Sequence, residues 1–245
     1  MKILLAAPCI LACCLSMSAV AQDAGDVQEA VNRDGSRLRL QTSWTPQAGE
    51  DEAQLAFVAT LVRAGTDTVI PLLSPGAPDQ GDEPTRSVRL VDVDGDGFHD
   101  LETTGDCGAG PNCSHTVFRF DSADDALYLF FDSGYFDAWV MDGHLVESGR
   151  ASCCAWEFHA WPLEPGPRLT VSGTMAFMAT VSIADDDAQA SVSCRFSRPD
   201  ADDEYRTILP PKEEWLALCE HYREPYHLVT PEEADRHQAS ADVEG

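Results

Sequence analysis

The sequence predicts an all-β protein, either an antiparallel β-sandwich or a partly closed barrel, with a short helix near the C-terminus. Three observations lead to this prediction. Apolar and polar residues alternate in many short segments, as they do in half-buried strands. Turn signals separate these segments at roughly ten-residue spacing, which is typical of antiparallel architectures. After Pro210 and Pro211 the pattern becomes helical.

Alternation defines the individual strands. In the segment 53–63, Leu55, Phe57 and Leu61 share a period-two face, which favours a strand, although the alanines leave a helix open. The other predicted strands are residues 37–41, 68–70, 87–92, 101–104, 116–120, 127–131, 139–141, 145–147, 156–161 and 190–196, with mixed alternation over 169–183. Residues 74–85 are rich in Pro, Gly and Asp and predict a surface loop. Packing of two such sheets is expected to bury Leu90, Phe118, Phe120, Leu127, Leu129 and Phe131.

Residues 1–21 read as a secretory signal peptide. Lys2 begins it, an apolar stretch follows over 3–20, and Ala19-Val20-Ala21 is a suitable cleavage site. A lipoprotein signal ending at Cys13, which would leave a lipid anchor, is the alternative. No later apolar stretch approaches membrane-spanning length, so we expect a periplasmic or secreted protein without a membrane span.

Three segments follow the signal peptide. We expect a β domain over 22–209, a helical segment over 210–229 and a flexible tail over 230–245. The formal net charge of −26 argues against nucleic-acid binding, which needs a basic face. The acidity has two interpretations, a solvated surface or electrostatic attraction of a cationic partner.

The most specific chemical signal is the loop D-V-D-G-D-G-F-H-D at residues 92–100. Calcium prefers carboxylate and carbonyl oxygens, and alternating aspartates can converge on one ion when the backbone coils. The predicted Ca2+ ligands are the side chains of Asp92, Asp94, Asp96 and Asp100 and the carbonyl of Phe98. A β-turn without a metal is the alternative, but clustered carboxylates repel one another when no cation is present.

The loop is not an EF-hand. Thr103 stands where an EF-hand needs a bidentate Glu, and the flanking segments are predicted strands. A shell filled by protein oxygens leaves little room for a substrate, so we expect a structural ion. The histidines are scattered without a metal-binding or triad spacing, and no enzymatic function is predicted.

Of the nine cysteines, three lie in the predicted signal peptide. The others are disulfide candidates, and they are Cys107, Cys113, Cys153, Cys154, Cys194 and Cys219. A Cys194–Cys219 bridge would attach the helix to the last strand. The adjacent Cys153 and Cys154 pair poorly with each other, so we expect them to reach Cys107 and Cys113. A short Cys107–Cys113 loop is the competing arrangement.

The segment 147–156 is the second stretch of interest. Arg150 is a cation in an acidic protein, and Trp156 follows it closely. Arg and Trp are residue types that dominate protein-binding hot spots. The alternative is a disulfide-linked hairpin end in which Ser and Gly only make the turn.

Several of these motifs together resemble a known family. They are the strand that enters D-x-D-x-D-G-x-x-D-L, the Gly-rich loop 105–113, the aromatic strand 116–121, the Ser-Gly-Arg segment with Cys-Cys before an aromatic residue, and the Trp-x6-Arg-Leu ending at Leu169. Over roughly residues 87–172 the chain resembles the periplasmic immunity-type proteins of Xanthomonas and its relatives. Their fold is similar to that of inhibitors of invertebrate-type lysozyme. Residues 22–80 and the segment from Pro210 lie outside the resemblance.

The resemblance implies a calcium-binding β-sandwich that blocks peptidoglycan hydrolases. It implies that Ser148, Gly149 and Arg150 form the loop inserted into the hydrolase cleft, with Trp156 beside them. The predicted function is therefore inhibition of, or immunity to, a lysozyme-like hydrolase. The alternatives are a calcium-stabilised structural or adhesive cell-envelope module without inhibitory activity, and a periplasmic enzyme with converging titratable residues.

Overall fold

The middle of the chain folds into a sheet that is covered on both faces by other sheets. The computed structural model describes residues 26–46, 53–73, 85–108, 110–184, 191–200 and 204–236. The predicted signal peptide, Cys13 and most of the predicted loop 74–85 lie outside the described residues. No helix in the described part of the chain is long and apolar enough to cross a membrane.

The strands form three sheets. The first sheet has the order β1-β2-β3-β4, where the strands are β1 (Val27–Val31), β2 (Arg37–Pro46), β3 (Ala53–Arg63) and β4 (Thr66–Val69). The middle sheet has the order β5-β9-β8-β7-β6, where the strands are β5 (Leu72–Leu73), β6 (Ser87–Val91), β7 (Asp100–Cys107), β8 (Cys113–Asp121) and β9 (Ala126–Tyr135). Within both sheets the neighbouring strands are antiparallel, apart from the parallel pair β5 and β9.

The last sheet contains the remaining strands. Its order is β10-β11-β12-β14-β15-β16, with β13 paired to β12 and β17 paired in parallel to β15. The strands are β10 (Asp137–Met141), β11 (His144–Ser152), β12 (Ala155–Glu164), β13 (Thr170–Val171), β14 (Phe177–Ala184), β15 (Ser191–Pro199), β16 (Tyr205–Ile208) and β17 (Tyr226–Leu228). A 3₁₀-helix follows β16 at Glu213–Glu220, and a helical turn occupies residues 231–236.

The all-β prediction is confirmed, and of the two predicted architectures the sandwich is the one observed. The middle sheet packs against the first sheet through a core that includes Leu38, Leu61, Leu101 and Phe118. Its opposite face packs against the last sheet. Two separate hydrophobic cores therefore flank the same five strands.

The residues that were predicted to be buried do not all lie in the same core. Phe118, Phe120 and Leu127 are buried against the first sheet, with Leu90 and Leu129 partly buried beside them. Between Leu129 and Phe131 the register of β9 against β8 shifts by one residue, which makes Phe130 the extra residue of a β-bulge. The bulge reverses the alternation, so Phe130 and Phe131 face the last sheet instead.

Several elements were not predicted. Residues 27–31 form β1, which hydrogen-bonds to the edge of β2. The tail prediction for 230–245 missed the helical turn at 231–236. Thr230 and Glu233 cap this turn reciprocally, since the Thr230 backbone N–H donates to the Glu233 carboxylate and the Glu233 N–H donates to Thr230 Oγ1.

The predicted Cys194–Cys219 disulfide is present and joins the 3₁₀-helix to β15. The helix lies within the predicted segment, and it buries Trp215, Leu218 and Cys219. These side chains complete a third core on the outer face of the last sheet. The disulfide therefore holds a short helix over that core.

We expect replacement of both cysteines of this disulfide by alanine (C194A together with C219A) to lower the free energy of unfolding by about 3 kcal/mol, because the unfolded chain regains the entropy of the closed loop. Urea denaturation of the purified protein measures this change. Cys153→Ser is the matched control, since Cys153 is exposed and belongs to neither disulfide. Equal stability of the control and the double variant would contradict the assigned role.

Candidate functional site

The aspartate loop connects β6 to β7 at the edge of the middle sheet. Side-chain to backbone hydrogen bonds coil it, since Asp94 accepts from the Asp96 N–H and Asp96 accepts from the Phe98 N–H. The backbone has positive φ at Gly95 (70°) and Gly97 (82°), which glycine tolerates without a Cβ clash. The coiling brings one carboxylate oxygen each of Asp92, Asp94 and Asp100 within 4.8 Å of one another.

Asp100 anchors the loop from inside the protein. It is 1% exposed, and its two oxygens accept hydrogen bonds from the backbone N–H groups of Val93 (3.1 Å) and Phe120 (2.9 Å). Burial raises the pKa of Asp100 to about 8, even though these N–H donors favour the ionised form. A cation beside this carboxylate would displace the proton and stabilise the charged form.

Arg119 of β8 balances the charge of the loop. Its Nε donates to Asp94 and its Nη2 to Asp96, both at 2.6 Å. Of the five predicted metal ligands, Asp92, Asp94 and Asp100 therefore lie together. The fourth, Asp96, forms an ion pair with Arg119. The ring of the fifth, Phe98, is buried against Phe120. Residue spacing could not reveal Arg119, because it lies on the next strand of the sheet.

The first sheet also holds the loop. The Arg33 N–H donates to the Gly97 carbonyl (2.8 Å), and the guanidinium donates to the Asp96 carbonyl (2.8 Å) while lying 4.6 Å from the centroid of the Phe98 ring. Asn32 accepts from the His99 N–H at 2.9 Å. The donor set at Asp92, Asp94 and Asp100 fits a hard divalent cation, since all three ligands are carboxylate oxygens and Asp92 faces solvent.

The second predicted site lies at the end of the β11–β12 hairpin, where Arg150 stands directly opposite Trp156. Arg150 is exposed, and its guanidinium donates to the carbonyls of Ser152 and Cys153 at 2.9 Å each. These bonds hold the turn of the hairpin. Arg150 therefore shapes the tip of the hairpin.

The structure corrects the expectation that Ser148 lies on a protruding loop. Ser148 is part of β11, is 4% exposed, and donates its hydroxyl to the Asp137 carbonyl at 3.2 Å. Gly149 follows in the same strand, and a Cβ on it would lie 3.1 Å from the Asn112 side chain. Both residues shape the strand, so a partner would meet the hairpin at Arg150 and beyond.

The cysteine pairing also differs from the expected one. Cys107 and Cys113 lie opposite each other on β7 and β8 and form a disulfide, so they do not reach the hairpin cysteines. Cys153 and Cys154 form the hairpin turn and belong to neither disulfide. The competing short-loop arrangement is thus the observed one, because strand pairing brings the first two cysteines face to face.

The disulfide loop packs against the hairpin through Asn112. Its side chain forms two hydrogen bonds with the backbone of Arg150, accepting from the N–H at 2.8 Å and donating to the carbonyl at 3.1 Å. Sequence reasoning did not select Asn112, because its partner lies on another sheet. A surface hollow of about 340 Å³ results, lined by Pro111, Arg150, Cys153, Cys154, Trp156, Ile183 and Tyr222. We call this surface the hairpin face.

Aromatic rings extend the hairpin face. Phe136 is 51% exposed and contacts Trp156 edge-on at 5.2 Å between centroids, while His221 contacts Trp156 at 4.6 Å. Burial lowers the pKa of His221, so the ring favours its neutral form. The cluster is predominantly apolar, with Arg150 at its border.

Two buried carboxylates lie behind this face, and neither was singled out by sequence. Burial would raise the pKa of Glu102, but hydrogen bonds and charges from His115 and Arg89 outweigh it and hold the pKa at about 2. Tyr135 donates its hydroxyl to the same carboxylate at 3.0 Å. The second carboxylate, Glu147, accepts a hydrogen bond from His159.

The comparisons with known proteins find partial similarity to solved structures. No protein-family model matches the sequence, and no curated protein matches it. A solved structure of a Xanthomonas type IV secretion system related protein aligns with 77% of this chain and 96% of its own, with a TM-score of 0.44 and 16% sequence identity. Neither a family nor a function follows from similarity at this level.

We expect Arg119→Gln to lower the free energy of unfolding by about 2 kcal/mol in metal-free buffer, because Asp94 and Asp96 lose their shared charged donor. Denaturation in the presence of a chelator measures the change. Arg39→Gln is the matched control, since Arg39 also contacts two carboxylates but is 34% exposed, against 22% for Arg119. The control should lose much less stability, because solvent screens exposed ion pairs. Similar losses in both variants would mean that Arg119 has no special role.

Proposed function

We propose that the protein is an exported, calcium-stabilised inhibitor that binds a lysozyme-like peptidoglycan hydrolase through the hairpin face. The observation that carries this proposal is the convergence of Arg150, Trp156 and Tyr222 around one hollow, with the exposed Phe136 beside it. Aromatic residues and arginine contribute most of the energy of protein interfaces. Blockade would be steric, with the hairpin face covering the sugar-binding cleft.

The rigidity of the hairpin face supports a binding function. The Cys107–Cys113 disulfide and the two Asn112 hydrogen bonds hold the adjacent loop against the hairpin. A surface that is ordered before binding loses less conformational entropy when a partner docks. Disulfides also persist mainly in oxidising compartments, which agrees with a periplasmic or extracellular location.

Charge supports the same kind of partner. The net charge of −26 would accelerate association with a basic protein and hinder association with an acidic one. Arg150 is exposed within this acidic surface, and its uncommitted N–H groups could pair with a carboxylate of the hydrolase. We therefore propose that Arg150 orients the hydrolase on the hairpin face and that Trp156 supplies most of the apolar contact area.

Calcium has a structural role in this proposal. An ion held by Asp92, Asp94 and Asp100 would join the end of β6 to the start of β7. The loop already contacts the first sheet through Arg33. The ion would therefore stiffen the edge where two sheets meet, while the hairpin face contacts the partner.

We expect Trp156→Ala to weaken inhibition of a sensitive hydrolase at least about tenfold, because the side chain supplies contact area at the centre of the hollow. Lysis of a peptidoglycan suspension by lysozymes of several classes, with and without the protein, measures potency. Trp44→Ala is the control, since Trp44 is an exposed tryptophan on the first sheet, outside the hairpin face.

The lysis assay with the wild-type protein decides between an inhibitor and a structural cell-envelope module. If the purified protein slows none of the lysozyme classes tested, the inhibitor proposal fails, and a structural cell-envelope module becomes the better interpretation. If it inhibits one class but Trp156→Ala is as potent as the wild type, inhibition stands and the hairpin face is the wrong surface.

We expect calcium to raise the melting temperature, with a stabilisation of about 3 kcal/mol at a hundredfold excess over the dissociation constant. Asp92→Asn should abolish this gain, whereas Asp67→Asn, an exposed control that pairs with Arg39, should retain it. Calcium affinity should rise between pH 6 and pH 8, because Asp100, whose pKa is about 8, must release its proton to bind the ion. Identical melting curves with calcium and with chelator would refute the site.

A further inference from the structure

The tip of the β11–β12 hairpin carries two adjacent thiols. Cys153 and Cys154 occupy the turn, and both line the hollow of the hairpin face. Cys153 is exposed, Cys154 is half-buried, and they belong to neither of the two disulfides. The proposed function does not use these thiols, because it assigns the contact with the hydrolase to Arg150 and Trp156. We call Cys153 and Cys154 the thiol pair.

Cys153 is the accessible member of the thiol pair. The other four described cysteines form the Cys107–Cys113 and Cys194–Cys219 disulfides. Disulfides form and persist in oxidising compartments, and the proposed export would place the thiol pair in the same conditions. A solvent-exposed thiol exchanges there with the disulfides that it meets, since access and the thiolate fraction set the rate. Because Cys153 is the more exposed of the two, we expect it to react first.

The backbone of the turn is held at several points. Arg150 donates to the carbonyls of Ser152 and Cys153 at 2.9 Å each. The Cys154 N–H donates to Ser152 Oγ at 3.3 Å, and the Cys154 carbonyl accepts from the Ile183 N–H at 2.9 Å. A bridge between adjacent cysteines closes a small strained ring that is easily reduced. The fixed turn therefore disfavours a bridge within the thiol pair and favours the pairing of Cys153 with an outside sulfur.

The surroundings of the thiol pair fit a small organic group that bears a carboxylate. The hollow has a volume of about 340 Å³, and its lining is mainly apolar, with Trp156 and Ile183 among the described residues. Of the described residues that line it, Arg150 is the one with a fixed charge. The Debye length is about 8 Å at physiological salt, so acidic groups on the other faces of the protein are largely screened there. The local charge therefore favours an anionic group.

Tyr222 lies beside the thiol pair in the same hollow. Burial raises the pKa of its hydroxyl, and the charges of Cys154 and Cys153 raise it further, against a smaller opposing effect of burial-independent attraction to Arg150. The phenol therefore keeps its proton at neutral pH. It supplies an O–H donor at the place where a thiolate forms and where an attached polar group would lie.

We propose that Cys153 is a modification site, at which a small carboxylate-bearing thiol is attached through a mixed disulfide and covers the hairpin face. In this reaction the Cys153 thiolate attacks one sulfur of a small disulfide. The new S–S bond forms as the old one breaks, and the departing thiolate takes up the proton that Cys153 released. The number of disulfide bonds is unchanged, so the small disulfide is the oxidant and no other is needed.

The attached group would compete with the hydrolase for the hollow. It would lie against Trp156, which supplies most of the apolar contact area in the proposed complex. Attachment would therefore weaken inhibition, and exchange with a free thiol would restore it. This part of the inference rests on the proposed function, because it adds a regulator to the same surface.

Incubation of the purified protein with oxidised glutathione tests the site, with the intact mass and the modified peptide followed by mass spectrometry. We expect one glutathionyl group on the wild type, located at Cys153 by peptide mapping. Cys154→Ser is the matched control and should be modified to the same extent, whereas Cys153→Ser should react at least about tenfold less. Peptide mapping of the wild type locates the adduct even if a variant does not fold.

Four other results of this incubation would overturn the proposal. The wild type would take up no glutathionyl group, or it would lose both thiol hydrogens and form a Cys153–Cys154 bridge. A disulfide-linked dimer would mean that a second copy is the partner of the thiol. An adduct on Cys107 or Cys113 would mean that the chain exchanges its own disulfide instead.

The preference for a carboxylate is tested by comparing oxidised glutathione with cystamine, a disulfide that carries ammonium groups. The ratio of the two reaction rates should fall about two- to fivefold in Arg150→Gln, because the cation beside the thiol pair is lost. Arg39→Gln on the first sheet is the control and should leave the ratio unchanged. An unchanged ratio in Arg150→Gln contradicts the assigned class of ligand.

The regulatory effect is tested with a hydrolase that the wild type inhibits. The glutathionylated protein should be at least about tenfold less potent, and excess reduced glutathione should restore its potency. The potency of Cys153→Ser should not respond to oxidised glutathione. Equal potency with and without the adduct overturns the regulatory role. If the adduct forms but no hydrolase is inhibited, the modification site stands and the proposed function fails, so the two failures are distinguishable.

Discussion

The structure depends on one constraint, which is that the middle sheet buries both of its faces. A sheet with two apolar faces needs a cover on each side, and the first and last sheets provide these covers. The bulge at Phe130 changes which face the side chains of β9 occupy. Side chains before the bulge pack against the first sheet, and those after it, such as Phe131 and Tyr135, pack against the last sheet. Without the bulge, Phe131 and Tyr135 would point toward the first sheet, away from the aromatic residues of the last sheet.

The two candidate sites lie at places set by this layering. The aspartate loop leaves the end of β6, where Arg33 of the first sheet and Arg119 of the middle sheet can both reach it. The disulfide loop between β7 and β8 meets the β11–β12 hairpin of the last sheet through Asn112. Each site therefore combines residues from two sheets, and neither could form in an isolated hairpin.

Charge pairing distinguishes the acidic groups of this protein from one another. Glu102 is buried with a full set of donors, and Asp94 shares Arg119 with Asp96. Such pairing offsets much of the cost of burying charge. Glu147 and Asp125 are different, because one buried oxygen of each lacks a hydrogen-bond donor among the described residues.

By itself, the sequence determined the fold class, most strands, the helix after Pro211, the Cys194–Cys219 bridge and the coiled aspartate loop. These features depend on alternation, turn residues and local spacing, all of which act within a few residues of the chain. Tertiary structure decided the bulge at Phe130, the Cys107–Cys113 pairing, the burial of Ser148 and the roles of Asn112 and Arg119. Each of these depends on strand register or on contact between sheets, and residue spacing along one strand does not encode which side chain stands opposite on another.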